Sequence, residues 1–381
     1  MPRPTTPVTG LRHQLAELRG PDRPPRPLDA RALAALAANP GCSRRALLDG
    51  AGVDKARLAD ALGAPSAFGQ SQFALARGNV FEARVKADGG AQLLRLVHER
   101  VGPAGAPEPV AELVSAPDLS AAGPQGRTAR TALALREAAQ SPGTWTFLDH
   151  PMLALDVAGS PAFLEPDAVV VHPDGSWTVV EIKSFPMIDG AADAAKVGAA
   201  ARQAAVYVLA LEQVAQRLTG LDAEVRVRDR IVLVCPKDFS NLPAASAVDV
   251  RKQLAVTRRQ LARLTRIEDI AAALPPGTAF DPELPAAELA AAVEAVPATY
   301  APECLAACEL AFHCRERSRA AGAVMVLGRP LRAELGGLTT VDAVLAAAHG
   351  EGGDPADPTV AALRRAAALR AEALSGKEWQ R

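Results

Sequence analysis

Hydrophobic and polar positions alternate in two rhythms along this chain, and together they predict most of its elements. Leucine and alanine recur at helical spacing from Leu28 to Ala38 and again through Leu47 and Leu48, where Ser43 stands ready as a cap. Helices are also predicted from Ser71 to Asp88, from Arg127 to Ala139, over 191–217 and over 248–274. Short strands are predicted over Thr144–His150 and Met152–Val157, the second ending before Gly159. The stretch 102–126 is rich in Pro, Gly and Ala and reads as a loop or insertion. Val225–Cys235 reads as a strand with Arg226, Arg228 and Arg230 on one face. Beyond residue 323 the pattern predicts two or three Ala-rich helices, broken at Gly336-Gly337 and over 350–358. There is no fixed-period repeat.

The most informative stretch begins at Phe163-Leu164-Glu165-Pro166-Asp167. Asp167-Ala-Val-Val-Val171 is an apolar, β-branched run, His172-Pro-Asp-Gly-Ser176 is a turn, and Trp177-Thr-Val-Val-Glu-Ile-Lys183 is the return strand. Glu181 and Lys183 are two residues apart and share a face, and pairing of the hairpin brings Asp167 beside them. Two carboxylates and a lysine on a rigid sheet suit a hard divalent cation and a charged transition state. A charged surface patch is the alternative.

Composition narrows the classes. The chain has 381 residues, 49% hydrophobic and 22% charged, with a net charge of −1. A packed core is expected and wholesale disorder is not. Any nucleic-acid contact must rest on local basic patches. One such run, Arg251, Lys252, Arg258, Arg259, Arg263 and Arg266, reads equally as a solvated face or a phosphate contact surface. Residues 1–27 are rich in Pro and Arg and are expected to be poorly ordered. No apolar run approaches a membrane span, and no apolar signal core begins the sequence, so a cytoplasmic protein without membrane contact is expected.

Five cysteines in a reducing compartment argue against a disulfide framework. Cys235 ends an apolar strand and reads as core. Cys304, Cys308 and Cys314 crowd together, with Cys304 and Cys308 one helical turn apart. Soft thiolates select zinc or an iron–sulfur cluster. Cys42 and His313 both stand as a fourth ligand, although Cys42 alone also fits as a small buried residue. Elsewhere, Gly78 and Glu82 are one turn apart on a helix, and Glu82 fits either a site acid or an ion pair with Lys86. Gln203 and Tyr207 share a face of their helix; Tyr207 also fits as a core aromatic.

The array resembles the iron–sulfur branch of the RecB-type nucleases in the PD-(D/E)XK superfamily. The CRISPR-associated iron–sulfur exonucleases and the AddB nuclease domain belong to that branch. Its core runs G-x-x-x-H, then Asp, then acid–x–Lys, then Q-x-x-x-Y, with one cysteine before the core and three after it. The matches are Asp167, Glu181-Ile182-Lys183 and Gln203-Ala-Ala-Val-Tyr207, with Cys42 before them and Cys304, Cys308 and Cys314 after them. The first element departs from the pattern, because Glu82 stands where the family has histidine. The likeness covers about residues 40–320.

It implies an α/β fold: a restriction-endonuclease-like mixed β-sheet core flanked by helices, with a helical iron–sulfur clasp and an Ala-rich helical tail. Residues 1–27 would be a flexible segment, 28–320 the nuclease domain and 321–381 the extension. It also implies a DNA nuclease, more specifically an exonuclease, serving repair, recombination or antiviral defence. Asp167, Glu181, Glu82 and the Ile182 backbone carbonyl would hold Mg²⁺ or Mn²⁺. Lys183 would act on the attacking water or the transition state, and Gln203 and Tyr207 would position Lys183 or the DNA backbone. Cys42, Cys304, Cys308 and Cys314 would hold a structural [4Fe–4S] cluster. The substrate would be DNA, single-stranded or end-bearing duplex. No G-x-x-x-x-G-K-[ST] is present, so unwinding would need a helicase or defence-complex partner. Two other readings stand beside this one: a catalytically degenerate DNA-binding subunit, and a zinc-stapled nucleic-acid-binding protein.

Overall fold

The computed structural model describes residues 8–65, 72–157, 160–218, 225–238, 240–262 and 266–375. Ser71, Gly159, Arg263 and the outer ends of both terminal segments lie outside these residues. In chain order the helices are α1 (Val8–Arg19), α2 (Ala30–Ala38), α3 (Ser43–Gly50), α4 (Lys55–Ala61), α5 (Gln72–Val85), α6 (Ala91–Val101), α7 (Gly123–Ala139), α8 (Ala194–Arg217), α9 (Arg251–Leu261), α10 (Ile267–Ala272), α11 (Ala286–Glu294), α12 (Ala311–Ala320), α13 (Arg329–Glu334), α14 (Val341–His349) and α15 (Pro358–Ser375). The strands are β1 (Val114–Ser115), β2 (Trp145–Asp149), β3 (Leu153–Val157), β4 (Ser160–Leu164), β5 (Ala168–Val171), β6 (Trp177–Ile182), β7 (Arg230–Pro236) and β8 (Pro243–Asp249). The fold is mixed α/β. The chain divides into two compact units, one of residues 1–40, 45–53 and 69–275, the other of 41–44, 54–68 and 276–381.

The first unit is built on a six-stranded sheet in the order β1-β2-β5-β6-β7-β8. β1–β2 and β6–β7 pair parallel; β2–β5, β5–β6 and β7–β8 pair antiparallel. The central strands β5 and β6 are buried along their whole length, which explains their unbroken apolar runs. One sheet face carries Phe147, Val170, Val180, Ile182 and Val232 against Phe81 and Val85 of α5 and Leu93, Leu94 and Val97 of α6. Gly90 admits this packing: it sits at φ +81°, and a Cβ there would lie 2.9 Å from the Phe147 ring. α8 packs on β6 and β3 and on the neighbouring helices α2 and α9.

The hairpin forms as its sequence predicts. Ala168 pairs with Val180 and Val171 with Trp177. In the turn, Asp174 Oδ1 accepts Ser176 N at 3.0 Å and Gly175 adopts φ +77°. β4 and β5 are separate strands, however. Phe163 and Leu164 belong to a small β3–β4 sheet, and Pro166, lacking an N–H, stands between the two pairings.

Other expectations shift. Residues 8–19, expected to be poorly ordered, form α1, which packs on α10 with Leu15 and Leu18 buried. The single helix expected over 248–274 is instead the last residues of β8 followed by α9 and α10. β8 has weak strand character, and its backbone is recruited by the open edge of β7. In the second unit, α12 packs beside a 3-10 turn at Pro302–Ala306, and α14 packs on α15 around Ala347 and Val360.

Candidate active site and cysteine cluster

Register fixes the two hairpin acids. One step beyond the Ala168–Val180 pair, Asp167 stands opposite Glu181 at the end of the strands. Asp167 Oδ2 accepts the Ile182 amide at 2.6 Å. Glu181 has no exposed surface, and neither of its oxygens makes a hydrogen bond among the described residues. Its polar contact is an ion pair from Lys183 Nζ to Oε1. Burial, with Asp167 adding to it and Lys183 opposing it, pushes the Glu181 carboxyl up to about 7. Burial likewise raises Asp167. For Lys183, burial works against the charge, but Glu181 and Asp167 outweigh it and raise its pKa.

Glu181 faces away from the Val180/Ile182 core, toward α8. From that helix, Gln203 Nε2 donates to Tyr207 Oη at 3.0 Å, and Tyr207 Oη donates to the Glu165 carbonyl at 3.1 Å. The pair thus anchors the chain two residues before Asp167, where contact with Lys183 or DNA was expected. Tyr207 is buried with its hydroxyl satisfied.

Glu82 comes from α5, and its charge reaches Asp167, Glu181 and Lys183. It is already partnered. Lys86 Nζ donates to Glu82 Oε1 at 2.5 Å and pairs with Asp149 Oδ1 at 2.7 Å, while His150 Nε2 lies 3.0 Å from the same Glu82 oxygen. The bond from His150 holds Glu82 at about 2, against the opposing effect of its partial burial. The bond to Glu82 in turn raises His150. His150 sits at φ +46°, in the left-handed region, and its amide donates to the Asp167 carbonyl at 3.4 Å. A Cβ on Gly78 would lie 4.0 Å from Ser184, an ordinary contact, so close approach does not require glycine there.

Sequence reasoning missed Asp149 and His150 and gave Lys86 no role in the site. The signal for the first two was their place in the turn ending β2; for Lys86 it was the i,i+4 spacing from Glu82. In the structure a histidine stands at Glu82, supplied by the turn after β2 and not by α5.

Cys42, Cys304, Cys308 and Cys314 fall in the second unit. Residues 41–44 are tied to 296–299: Arg44 N donates to the Pro297 carbonyl at 2.9 Å, Arg44 Nε to Val296 at 3.1 Å, and Thr299 Oγ1 to Gly41 at 3.2 Å. That brings Cys42 into range of Cys314. Burial raises the Cys314 thiol, Cys42 and Cys304 add to the effect, and Arg44 opposes it, donating from Nη1 to Cys314 Sγ at 3.3 Å. Cys304 lies in a 3-10 turn and Cys308 closes it, with its amide on the Cys304 carbonyl at 2.8 Å. The pair therefore does not ride one regular helix. His313 is buried, and its Nε2 has no hydrogen-bond partner among the described residues. Cys235 is wholly buried in β7, where burial lifts its thiol to about 12. None of the five is in a disulfide.

Among the described residues, no three His, Cys, Asp or Glu side chains are arranged as they would be around a metal ion. No helix among them is long and apolar enough to cross a membrane. No family model, curated protein or solved structure matches this chain.

Proposed function

We propose that this chain is a metal-dependent DNA nuclease with a restriction-endonuclease-like core, acting on single-stranded or end-bearing duplex DNA. The observation that supports it most is Glu181. A fully buried carboxylate whose one ion pair among the described residues, from Lys183, engages a single oxygen is costly to bury, and a shared cation at the other oxygen relieves that cost. Asp167 stands opposite it, and Glu82 acts on both electrostatically. Asp167 and Glu181 would hold Mg²⁺ or Mn²⁺, with Glu82 and the Ile182 carbonyl completing the set. Bound there, the ion supplies Lewis acidity and a more acidic water. Lys183 provides positive charge beside the phosphate as its oxygens gain charge. Tyr207, held by Gln203, fixes the Glu165–Asp167 segment and acts as a positioning residue.

Cys42, Cys304, Cys308 and Cys314 would hold a structural [4Fe–4S] cluster. The tie between 41–44 and 296–299 supports this, since a clip across so long a loop removes much chain entropy from the unfolded state. The unpartnered ring nitrogen of His313 favours a Cys/His zinc staple as the second reading of this cluster. For the hairpin, the capture of Glu82 by Lys86 and His150 favours a second reading as a catalytically inactive DNA-binding subunit of a repair or defence complex.

The test is cleavage of end-labelled single- and double-stranded oligonucleotides with Mg²⁺ or Mn²⁺. Cleavage that stops with a chelator and in Asp167→Asn is the expected result. DNA binding without cleavage under either ion would leave the binding-subunit reading.

A further inference from the structure

We infer that the first unit carries a second anion site, built for linked phosphates, at the end of the sheet away from Glu181. It does not rest on the nuclease reading. Trp177 at the start of β6 lies beside Val227, in the parallel sense, and marks that end. Glu181 is four residues further along, about 13 Å at the rise of an extended strand. A cleft of about 760 Å³ opens there, within the size range of small-molecule sites. Six arginines line it: Arg100 at the end of α6, Arg226, Arg228 and Arg230 leading into β7, and Arg251 and Arg258 on α9. Only Glu212 and Asp229 oppose them in the lining.

The backbone explains the convergence. Trp177 N donates to Arg226 O at 2.9 Å and Arg228 N to Trp177 O at 2.8 Å, so this segment is held extended and every second side chain falls on one side. Arg228 is the fixed member. It donates to Ser176 Oγ at 2.7 Å, to Asp174 Oδ2 at 3.0 Å and to the Val101 carbonyl. Arg258 is matched by Glu212, and Arg251 by Asp249 and Asp229.

Three guanidiniums remain with donors to spare. Arg226 is 71% exposed and, among the described residues, pairs only with the already shared Asp174, at 3.7 Å. Arg100 and Arg230 are exposed and make no ion pair among the described residues. Like charges gathered in a concavity repel one another until an anion joins them. Guanidinium forks fit phosphate oxygens in pairs. Arg226 and Arg230 are four residues apart, about 13 Å along an extended strand, which is too far for one phosphate and suits a chain of them. Leu254 gives the same cleft an apolar wall against which a sugar or base can lie. The ligand class is therefore a run of linked phosphates, from a free polyphosphate or from a nucleic-acid strand.

The experiment uses the full chain in EDTA, so that no divalent ion holds phosphate at the hairpin. Tripolyphosphate binding is followed by calorimetry, and binding of a labelled single-stranded oligonucleotide by anisotropy across a salt series. The variants are the double charge reversal Arg100→Glu/Arg230→Glu and, as a charge control, Lys252→Glu on α9 outside the cleft. The double variant should lose at least tenfold in affinity while Lys252→Glu binds as wild type. Loss for tripolyphosphate assigns the free anion. Loss for the oligonucleotide alone, with a shallower salt dependence, assigns the strand. A double variant that binds both probes as wild type, or a wild type that binds neither, overturns the site.

Discussion

Asp167 reaches across the hairpin to the strand that carries the second acid, its Oδ2 accepting the Ile182 amide at 2.6 Å. The first acid is thereby oriented before any ligand arrives, and its remaining lone pairs are directed by the same bond. Asp167→Asn keeps an acceptor for Ile182 and should melt within about 1 kcal/mol of wild type. Asp167→Ala leaves the amide unpaired and should cost about 1–3 kcal/mol. Both should abolish metal-dependent cleavage. Denaturant melts beside a nuclease assay check the split, and cleavage surviving in either variant would falsify the assignment.

Glu181 sets a pH dependence. Its folded pKa of about 7 lies above the ordinary carboxylate value, so the folded state binds this proton more tightly than the unfolded one. Stability should therefore fall as pH rises from about 4.5 to 7 in a chelator, on the order of 2 kcal/mol from this group. Asp167 is shifted the same way and adds to the fall. Mg²⁺ or Mn²⁺ should flatten the slope. Melts from pH 4.5 to 8 in EDTA and in Mn²⁺ measure it; a slope that Mn²⁺ leaves unchanged counts against a cation at Glu181.

His150 carries strain and a contact at once. Its left-handed φ of +46° disfavours any Cβ, while its ring holds Glu82. Both His150→Ala and His150→Gly lose the contact, but only glycine relieves the backbone. His150→Gly should be more stable than His150→Ala by about 1 kcal/mol. Equal melting midpoints for the two would show that the backbone there is not strained.

The cysteine cluster predicts colour. Protein purified without oxygen should be brown with broad visible absorption, and Cys304→Ala should be colourless and poorly soluble. A colourless wild type containing zinc would replace the iron–sulfur reading with the Cys/His staple.

The sequence by itself determined the hairpin. Its β-branched runs, its Asp174-Gly175 tip and the two-residue spacing of Glu181 and Lys183 are local properties, and periodicity of two puts side chains on known faces without reference to the rest of the chain. It also determined the helical pairing of Gln203 with Tyr207, and the i,i+4 reach of Lys86 to Glu82.

Tertiary structure decided what those groups meet. His150 reaches Glu82 from a turn 68 positions further along the chain, and no pattern near either residue announces it. Arg44 approaches Cys314 because residues 41–44 bond to 296–299. β8 is a strand because β7 offers it an unpaired edge, against its own weak propensity. The charge run over 251–266 divides the same way. Arg251 and Arg258 turn into the cleft with Arg226 and Arg230, which the antiparallel pairing of β7 with β8, Arg230 opposite Asp249, brings near them. Spacing along a chain fixes which side chains share a face; which faces meet is set by packing between elements far apart in sequence.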